Sequence, residues 1–207
     1  MTNSEENTKK LLCYINEFCP KELNSVEILK FFQLLLAAHW EHADNHGQYS
    51  QYLSCIDNRG LVETTLDENP KAVKPAPKIS IKLGEVKFEK AHLGDEKAES
   101  EDGNILTFGW GCSTQLIFNH RFETPGQTLI AAESTFEFLS AIANEVRQLL
   151  NLTTFLPVGI SQPKKEKNQA SDNFNLDIIF NISYNYYVSA NLETHRIKVI
   201  ASTISIQ

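Results

Sequence analysis

Apolar residues fall on every second position of FNLDIIFNISYNYYVSANL, residues 174–192, and the positions between them are mostly Asn, Asp and Ser. Strict alternation predicts a long β-strand with one apolar and one polar face. A second alternating run covers residues 108–122. A third, KISIKLGEVKF at residues 78–88, changes phase at Gly84, which indicates a β-bulge. Together these runs predict half-buried strands of an antiparallel sheet.

The first 40 residues show helical spacing instead. Residues 4–19 carry apolar side chains three and four positions apart, and Pro20 ends the pattern. A second helix is predicted to start with Asn24 or Ser25 as its cap, to run to Trp40 and to leave through Gly47 in a left-handed conformation. Because apolar residues cover most of its circumference, we expect this helix to be packed on several sides.

A third helical pattern lies between the alternating runs. Thr124 can cap its first turn, Pro125 suits the first helical position, and one apolar stripe continues to Leu150. The pattern predicts a single helix of about 35 Å that covers one face of the sheet. A short strand, TTFLPVGI, follows it, and RIKVIASTISI provides a further strand near the carboxyl end.

The chain is predicted to divide at a proline-rich connector. Residues 70–77 hold three prolines among Lys and Ala, a composition that keeps the backbone extended. We therefore expect an N-terminal helical region over residues 1–69 and an α+β domain over residues 78–207. The predicted fold class is α+β, an antiparallel sheet covered by one long helix, with an N-terminal helical extension.

Composition narrows the class of protein. With 207 residues, 42% of them hydrophobic, the chain can bury a sizeable core. A net charge of −7 argues against a dedicated nucleic-acid binder, although an acidic surface would let a polyanion slide past. The four cysteines lack CxxC spacing and the start lacks an apolar signal core, which favours buried thiols in a reducing cytosol. The apolar run FFQLLLAAHW is too short to span a bilayer, so no membrane association is expected.

The segment HWEHADNHG is the strongest candidate for a metal site. His39, His42 and His46 are three and four residues apart and could share one helix face, as zinc ligands do. The HExxH order is absent, however. Polar histidines at a frayed helix end, near the negative end of its dipole, explain the cluster without a metal. We favour that second interpretation and expect neither a metal nor a cofactor.

Catalytic patterns are not recognisable. The chain has no GxSxG and no Walker loop, and the glycines of GWGCS lack the lysine that phosphate binding requires. The acidic residues near position 100 form a charged run typical of a solvated loop, where nothing raises a pKa for acid catalysis. The sequence therefore predicts a protein that is not an enzyme.

Two loops carry opposite charge. AHLGDEKAESEDG is acidic and QPKKEK is basic. In a monomer they would serve solubility, whereas in a ring the acidic loop of one subunit could meet the basic loop of the next. The strand RIKVIASTISI could extend a neighbour's sheet. The candidate subunit-contact residues are Asp95, Glu96, Glu99, Glu101, Asp102, Lys164, Lys165, Lys167, Ile197 and Val199.

From about residue 75 to residue 207, the order of elements resembles a known group of proteins. PKISIKLGEVKFEKAHLGD, the strand FGWGCSTQLIFNH, the helix AAESTFEFLSAIANEVRQLL and the closing alternating strand are similar to the tail-terminator and head-to-tail joining proteins of long-tailed bacteriophages. The resemblance implies a hexameric ring that caps the tail tube and docks it to the neck beneath the capsid. DNA would pass through its lumen without sequence-specific binding. The first 70 residues have no counterpart in it.

The expected function is therefore that of a structural virion protein. It would be assembled in the host cytoplasm, become part of the virion and contact tail-tube and neck proteins. A baseplate or tail adaptor protein would show the same sheet and remains an alternative. A soluble small-molecule or metal-binding module, which belongs to a different class of protein, is a further alternative.

Overall fold

The computed structural model describes residues 6–17, 23–41, 43–53, 61–64, 76–89, 97–99, 105–166 and 173–191. The helices are α1 (Glu6–Glu17), α2 (Ser25–His39), a 3₁₀ helix (Ala43–Tyr49), α3 (Ser50–Leu53), α4 (Pro125–Ala141) and α5 (Ala143–Leu149). The strands are β1 (Val62–Thr64), β2 (Lys78–Leu83), β3 (Lys87–Glu89), β4 (Lys97–Glu99), β5 (Ile105–Phe122), β6 (Leu152–Ile160), β7 (Lys164–Lys165) and β8 (Phe174–Asn191). The α+β class predicted from the sequence is confirmed.

The described strands form one sheet. Its order is β1-β2-β5-β8-β6, with β3 and β4 paired to β5 and β7 paired to β8. Neighbouring strands are antiparallel except for β1 and β2, which are parallel. The sheet is therefore mixed, whereas alternation alone predicted an antiparallel one, since a period of two does not report strand direction.

Strands β5 and β8 form the centre of the sheet. Each has 18 residues, and they pair along their whole length, from Ile105 opposite Asn191 to Phe122 opposite Phe174. At about 3.3 Å per residue this ladder is roughly 60 Å long. From Cys112 to Phe122 the even-numbered residues of β5 are buried, as the alternating pattern predicts. These residues form the covered face of the sheet.

Two helices share the covered face. Phe32 of α2 lies 5.7 Å from Phe118, and Phe136 of α4 lies 6.0 Å from Phe180, measured between ring centroids. The expectation of one covering helix is therefore incomplete, because α2 packs beside α4 on the same strands. This position explains why apolar residues cover most of the circumference of α2: one side packs on the sheet and another packs on α1. Tyr14 of α1 donates a hydrogen bond to the Glu27 carboxylate of α2.

The predicted helix of residues 125–150 is interrupted at Ile142, which separates α4 from α5. Asn151 then takes a left-handed conformation with φ 51°, which an Asn tolerates, and the chain turns directly into β6. The predicted caps are confirmed. Asn24 Oδ1 accepts from the Val26 and Glu27 amides, and Thr124 Oγ1 accepts from the Gln127 amide.

The predicted bulge at Gly84 is confirmed by the register. Leu83 pairs with Leu116 and Lys87 with Ser113, so four steps along the β2–β3 segment oppose three steps along β5. The Gly84 amide donates to the Gln115 carbonyl at 2.7 Å. Because of the extra residue, Phe88 lies directly opposite Cys112, on the covered face of the sheet.

Candidate assembly surfaces

The structure locates three of the ten predicted contact residues. Lys164 and Lys165 form β7 and are exposed, opposite Asn175 and Phe174 of β8. Glu99 lies in β4, opposite Leu106 of β5. The other seven lie outside the described residues: Asp95, Glu96, Glu101, Asp102, Lys167, Ile197 and Val199.

The topology separates β4, which carries Lys97 and Glu99, from the basic strand β7. Strand β4 pairs with β5 on one side of the central ladder, whereas β7 pairs with β8 on the other side. Along the ladder, β4 lies level with Ala190 and β7 with Phe174, sixteen residues away. At about 3.3 Å per residue the separation is roughly 50 Å. The two charged segments therefore do not meet within one chain.

An apolar surface, here named the β6 ridge, lies near β7 on the same edge. It consists of Leu156, Val158 and Ile160, whose exposed fractions are 59%, 54% and 36%. Leu156 pairs with the exposed Asn181, and the register shifts between Pro157 and Gly159. Because of this shift, Leu156 lies opposite the polar face and Ile160 lies opposite the buried Ile178, so aliphatic side chains are exposed along the edge on both sides of the sheet. Such an edge is a candidate interaction surface.

A second apolar surface, the α2 cleft, lies on the β3 side of the sheet. Its volume is about 600 Å³. The lining is largely apolar and aromatic, with Phe88 62% and Val26 49% exposed. The lining residues are Asn24, Ser25, Val26, Glu27, Val86, Phe88, Cys112, Tyr184 and Tyr186.

The cleft is open because α2 begins at its rim, beside Tyr184, and extends from there along the sheet towards Phe118. Ser25 Oγ lies 3.5 Å from the Tyr184 hydroxyl, and seven residues later Phe32 lies near Phe118. Phe88 therefore shares the covered face with Cys112 but extends past the start of the helix. Burial raises the pKa of Tyr184, so the hydroxyl at the floor of the cleft stays protonated and can donate a hydrogen bond.

The central ladder continues beyond this point. Its pairs run from Gly111 opposite Asn185 to Ile105 opposite Asn191, and β4 pairs with β5 along the same stretch. We name this part the β-arm. It is seven residue pairs long, or about 23 Å. It extends the sheet past the level at which α2 begins.

The face opposite the helices is polar, as the amide pattern of residues 174–192 predicts. Asn181 and Asn185 are exposed there. Asn119 donates to Asp177 at 2.8 Å, and Arg121 binds Glu166 through Nε and a terminal nitrogen, both at 2.8 Å. These contacts join neighbouring strands across this face, where the side chains of Asn181 and Asn185 are open to solvent.

The histidine segment is part of the core, and the interpretation as polar histidines at a frayed end is wrong for His39 and His46. Both are buried. The His39 ring stacks on Phe138 at 3.9 Å and lies 4.8 Å from His46, whose Nδ1 is 2.9 Å from Ser134 Oγ. Burial lowers the pKa of His39 to about 3, with His46 contributing, and lowers that of His46 to about 4.

His42 lies outside the described residues. Among the residues that the structure describes, no cluster of three His, Cys, Asp or Glu side chains could hold a metal ion. His39 and His46 are neutral rings that pack α2 and the 3₁₀ helix against α4. Cys112 is buried, whereas Cys13 on α1 is exposed, which differs from the expectation of buried thiols.

Sequence reasoning missed both the β6 ridge and the α2 cleft. In TTFLPVGI, apolar residues occupy both phases of the strand, from Phe155 to Ile160, and this signal could have indicated apolar surface on both sides. The cleft has no comparable signal, because it depends on where α2 begins relative to Phe88.

Comparison with known proteins gave little similarity. No protein-family model matches the chain, and no curated protein matches it. Among solved structures, the fold is similar to a chain of the structure described as "Virion of native gene transfer agent (GTA) particle", with 12% identity and a TM-score of 0.26. The similarity covers 70% of this chain and 92% of that chain.

None of the described helices combines the length and the apolar character needed to cross a membrane.

Proposed function

We propose that this chain is a structural subunit of a phage-like virion, and that its role is assembly with copies of itself. The observation that carries the proposal is the placement of contact surfaces on opposite edges of one sheet. The β6 ridge and the lysines of β7 lie on one edge, and the α2 cleft and β4 lie on the other.

Surfaces on opposite edges favour a head-to-tail contact. In such a contact each copy uses one edge to bind the opposite edge of the next, and a rotation that closes produces a ring. The β-arm supports the same reading, because about 23 Å of sheet extends past the start of α2 and can contact a neighbour.

The finer proposal is a tail terminator or neck component. A ring of this chain, hexameric by the resemblance noted above, would join the tail tube to the head and let DNA pass through its lumen. The net charge of −7 suits a channel that does not retain a polyanion. The subunit would assemble in the host cytoplasm and remain in the virion, without an enzymatic role, a cofactor or a membrane contact.

The test is the native mass of the purified full-length protein, measured by light scattering and by native mass spectrometry, alone and with the tail-tube protein. Rings visible by negative-stain electron microscopy, with a mass equal to a whole number of 23.4 kDa subunits, are expected. A protein that stays monomeric at 100 μM and does not bind the tail-tube protein would contradict the proposal.

A small-molecule binding module is the second candidate, and the α2 cleft favours it. A volume of about 600 Å³ with a largely apolar lining is within the range of ligand sites. Thermal-shift screening of the monomer against apolar and aromatic compounds would test it. Stabilisation that Phe88→Ala abolishes, in a protein that never oligomerises, would favour this candidate over a virion subunit.

A further inference from the structure

The β6 ridge and the α2 cleft are complementary in character. The ridge projects three aliphatic side chains from a sheet edge, and the cleft is a concave surface lined by valine, phenylalanine and tyrosine. Each has large apolar side chains that are exposed in the part of the chain that the structure describes. Since burial of apolar area drives association, each surface is a candidate partner for the other.

One chain cannot bring the two surfaces together. The cleft lies on the β3 side of β5, whereas β6 lies beyond β8, so two central strands separate them. Leu156 pairs with Asn181, which is exposed on the polar face, whereas Phe88 pairs with Cys112 on the covered face. Ile160 pairs with the buried Ile178, so the ridge follows the edge of the sheet from one face to the other. Because the two surfaces lie on opposite edges, contact between them requires a second copy.

The edge of β6 is poorly suited to backbone pairing. Pro157 has no N–H to donate, and register shifts follow Leu152 and Pro157. Both features protect an edge strand against the addition of another strand. A contact at this edge would therefore use side chains and not backbone hydrogen bonds.

The charges around the two surfaces agree with this pairing. Lys164 and Lys165 follow the ridge on the same edge and are exposed. Glu27 lines the cleft, and the exposed Glu85 and Lys87 flank the cleft residue Val86. Because Glu85 and Lys87 offset each other, the lysines beside a seated ridge would face the net negative charge of Glu27, which favours one orientation.

We propose that the β6 ridge of one copy packs into the α2 cleft of the next, in a head-to-tail contact repeated around the assembly. This inference rests on the proposed function in one respect, that copies of the chain associate. It adds the surfaces that meet and the direction in which the copies follow one another.

Disulfide trapping tests the contact directly. In full-length protein whose four cysteines are replaced by alanine, Phe88→Cys and Val158→Cys are introduced separately and together. On mild oxidation the double variant is expected to give a ladder of covalent oligomers on a denaturing gel, and each single variant only monomer. Dimers from a single variant would indicate a contact between identical surfaces, and would overturn the proposal.

Charge substitution gives an independent readout. Leu156→Asp combined with Val158→Asp should weaken association by about a hundredfold or more, since burial of each such side chain contributes a factor of about ten to a hundred. Leu12→Asp is the matched control, because Leu12 is 55% exposed on α1 and belongs to neither the ridge nor the lining of the cleft, and its substitution should leave the mass unchanged. Circular dichroism confirms that each variant is folded.

The outcomes separate this inference from the proposed function. A wild-type protein that forms rings, gives no ladder with the double cysteine variant and keeps its mass after the aspartate substitutions would overturn the ridge-in-cleft contact and leave the ring intact. A wild-type protein that is monomeric under all conditions would overturn both. A ladder together with the loss of mass in the aspartate variant supports both.

Discussion

Acid should destabilise this protein through three buried histidines. His120 joins His39 and His46 in the covered layer, where burial lowers its pKa to about 3, against the opposing effect of the Phe118 carbonyl. Its Nε2 lies 2.9 Å from Thr135 Oγ1 and its Nδ1 lies 3.2 Å from the Phe118 oxygen. The ring thus bridges β5 and α4 while remaining neutral.

The direction of the effect follows from proton binding. Above pH 6.5 these histidines are neutral in both the folded and the unfolded chain, so they add no pH dependence. Below pH 6.5 the unfolded chain binds protons that the folded chain does not, and the free energy of unfolding falls. The loss continues until pH drops through the folded pKa values of about 3 to about 4.

The size of the effect can be calculated for one residue. Between pH 7.5 and pH 5, a histidine with an unfolded pKa near 6.5 and a folded pKa near 4 lowers the free energy of unfolding by about 2 kcal/mol. Three such residues would remove about 6 kcal/mol, which is comparable with the whole stability of many domains. The protein should therefore unfold in mild acid.

The assay is urea denaturation of wild type and His46→Gln at pH 7.5 and pH 5. The variant should show a pH dependence smaller by about 2 kcal/mol, because one proton-binding site is lost from the unfolded chain. Ser134→Ala is the control, since it removes the 2.9 Å contact to His46 without removing a titratable group. It should lower stability equally at both pH values. An unchanged pH dependence in His46→Gln would refute the neutral, buried state of this ring.

Two further substitutions test the covered layer by the same urea assay. Phe32→Ala should cost about 3–5 kcal/mol, because Phe32 is fully buried against Phe118 and Phe155, and a loss under 1 kcal/mol would place α2 away from the sheet. Asn24→Ala should cost about 1 kcal/mol by removing the acceptor for the Val26 and Glu27 amides, whereas Asn24→Asp should be nearly neutral. Equal losses in the two Asn24 variants would contradict the cap.

Local patterns predicted the central elements well, because their causes are local. Alternation located the long strands β5 and β8, the change of phase at Gly84 located the bulge, and a proline after a threonine located the start of α4. Each signal is a property of neighbouring residues, namely side-chain direction, register or an unpaired amide. Such signals do not depend on how distant parts of the chain pack.

Packing partners were not predictable in the same way. The apolar circumference of α2 indicated burial on several sides. No feature of the helix, however, specifies that β2, β5 and β6 are the strands that cover one of those sides. The histidines show the same limit. His39 and His46 have the spacing of a polar cluster, and only the approach of Phe138 and Ser134 from α4 converts them into core residues.

The length of the central ladder determines what the charged segments can do. Beside β5, Glu99 lies about 50 Å along the strands from Lys165, whereas electrostatic interactions at physiological salt are screened within about 8 Å. Glu99 and Lys165 of one copy therefore do not interact with each other. A shorter sheet would have allowed an internal ion pair, but an 18-residue ladder does not. Attraction between these segments is possible only between molecules, which is why we propose a neighbouring copy as the partner.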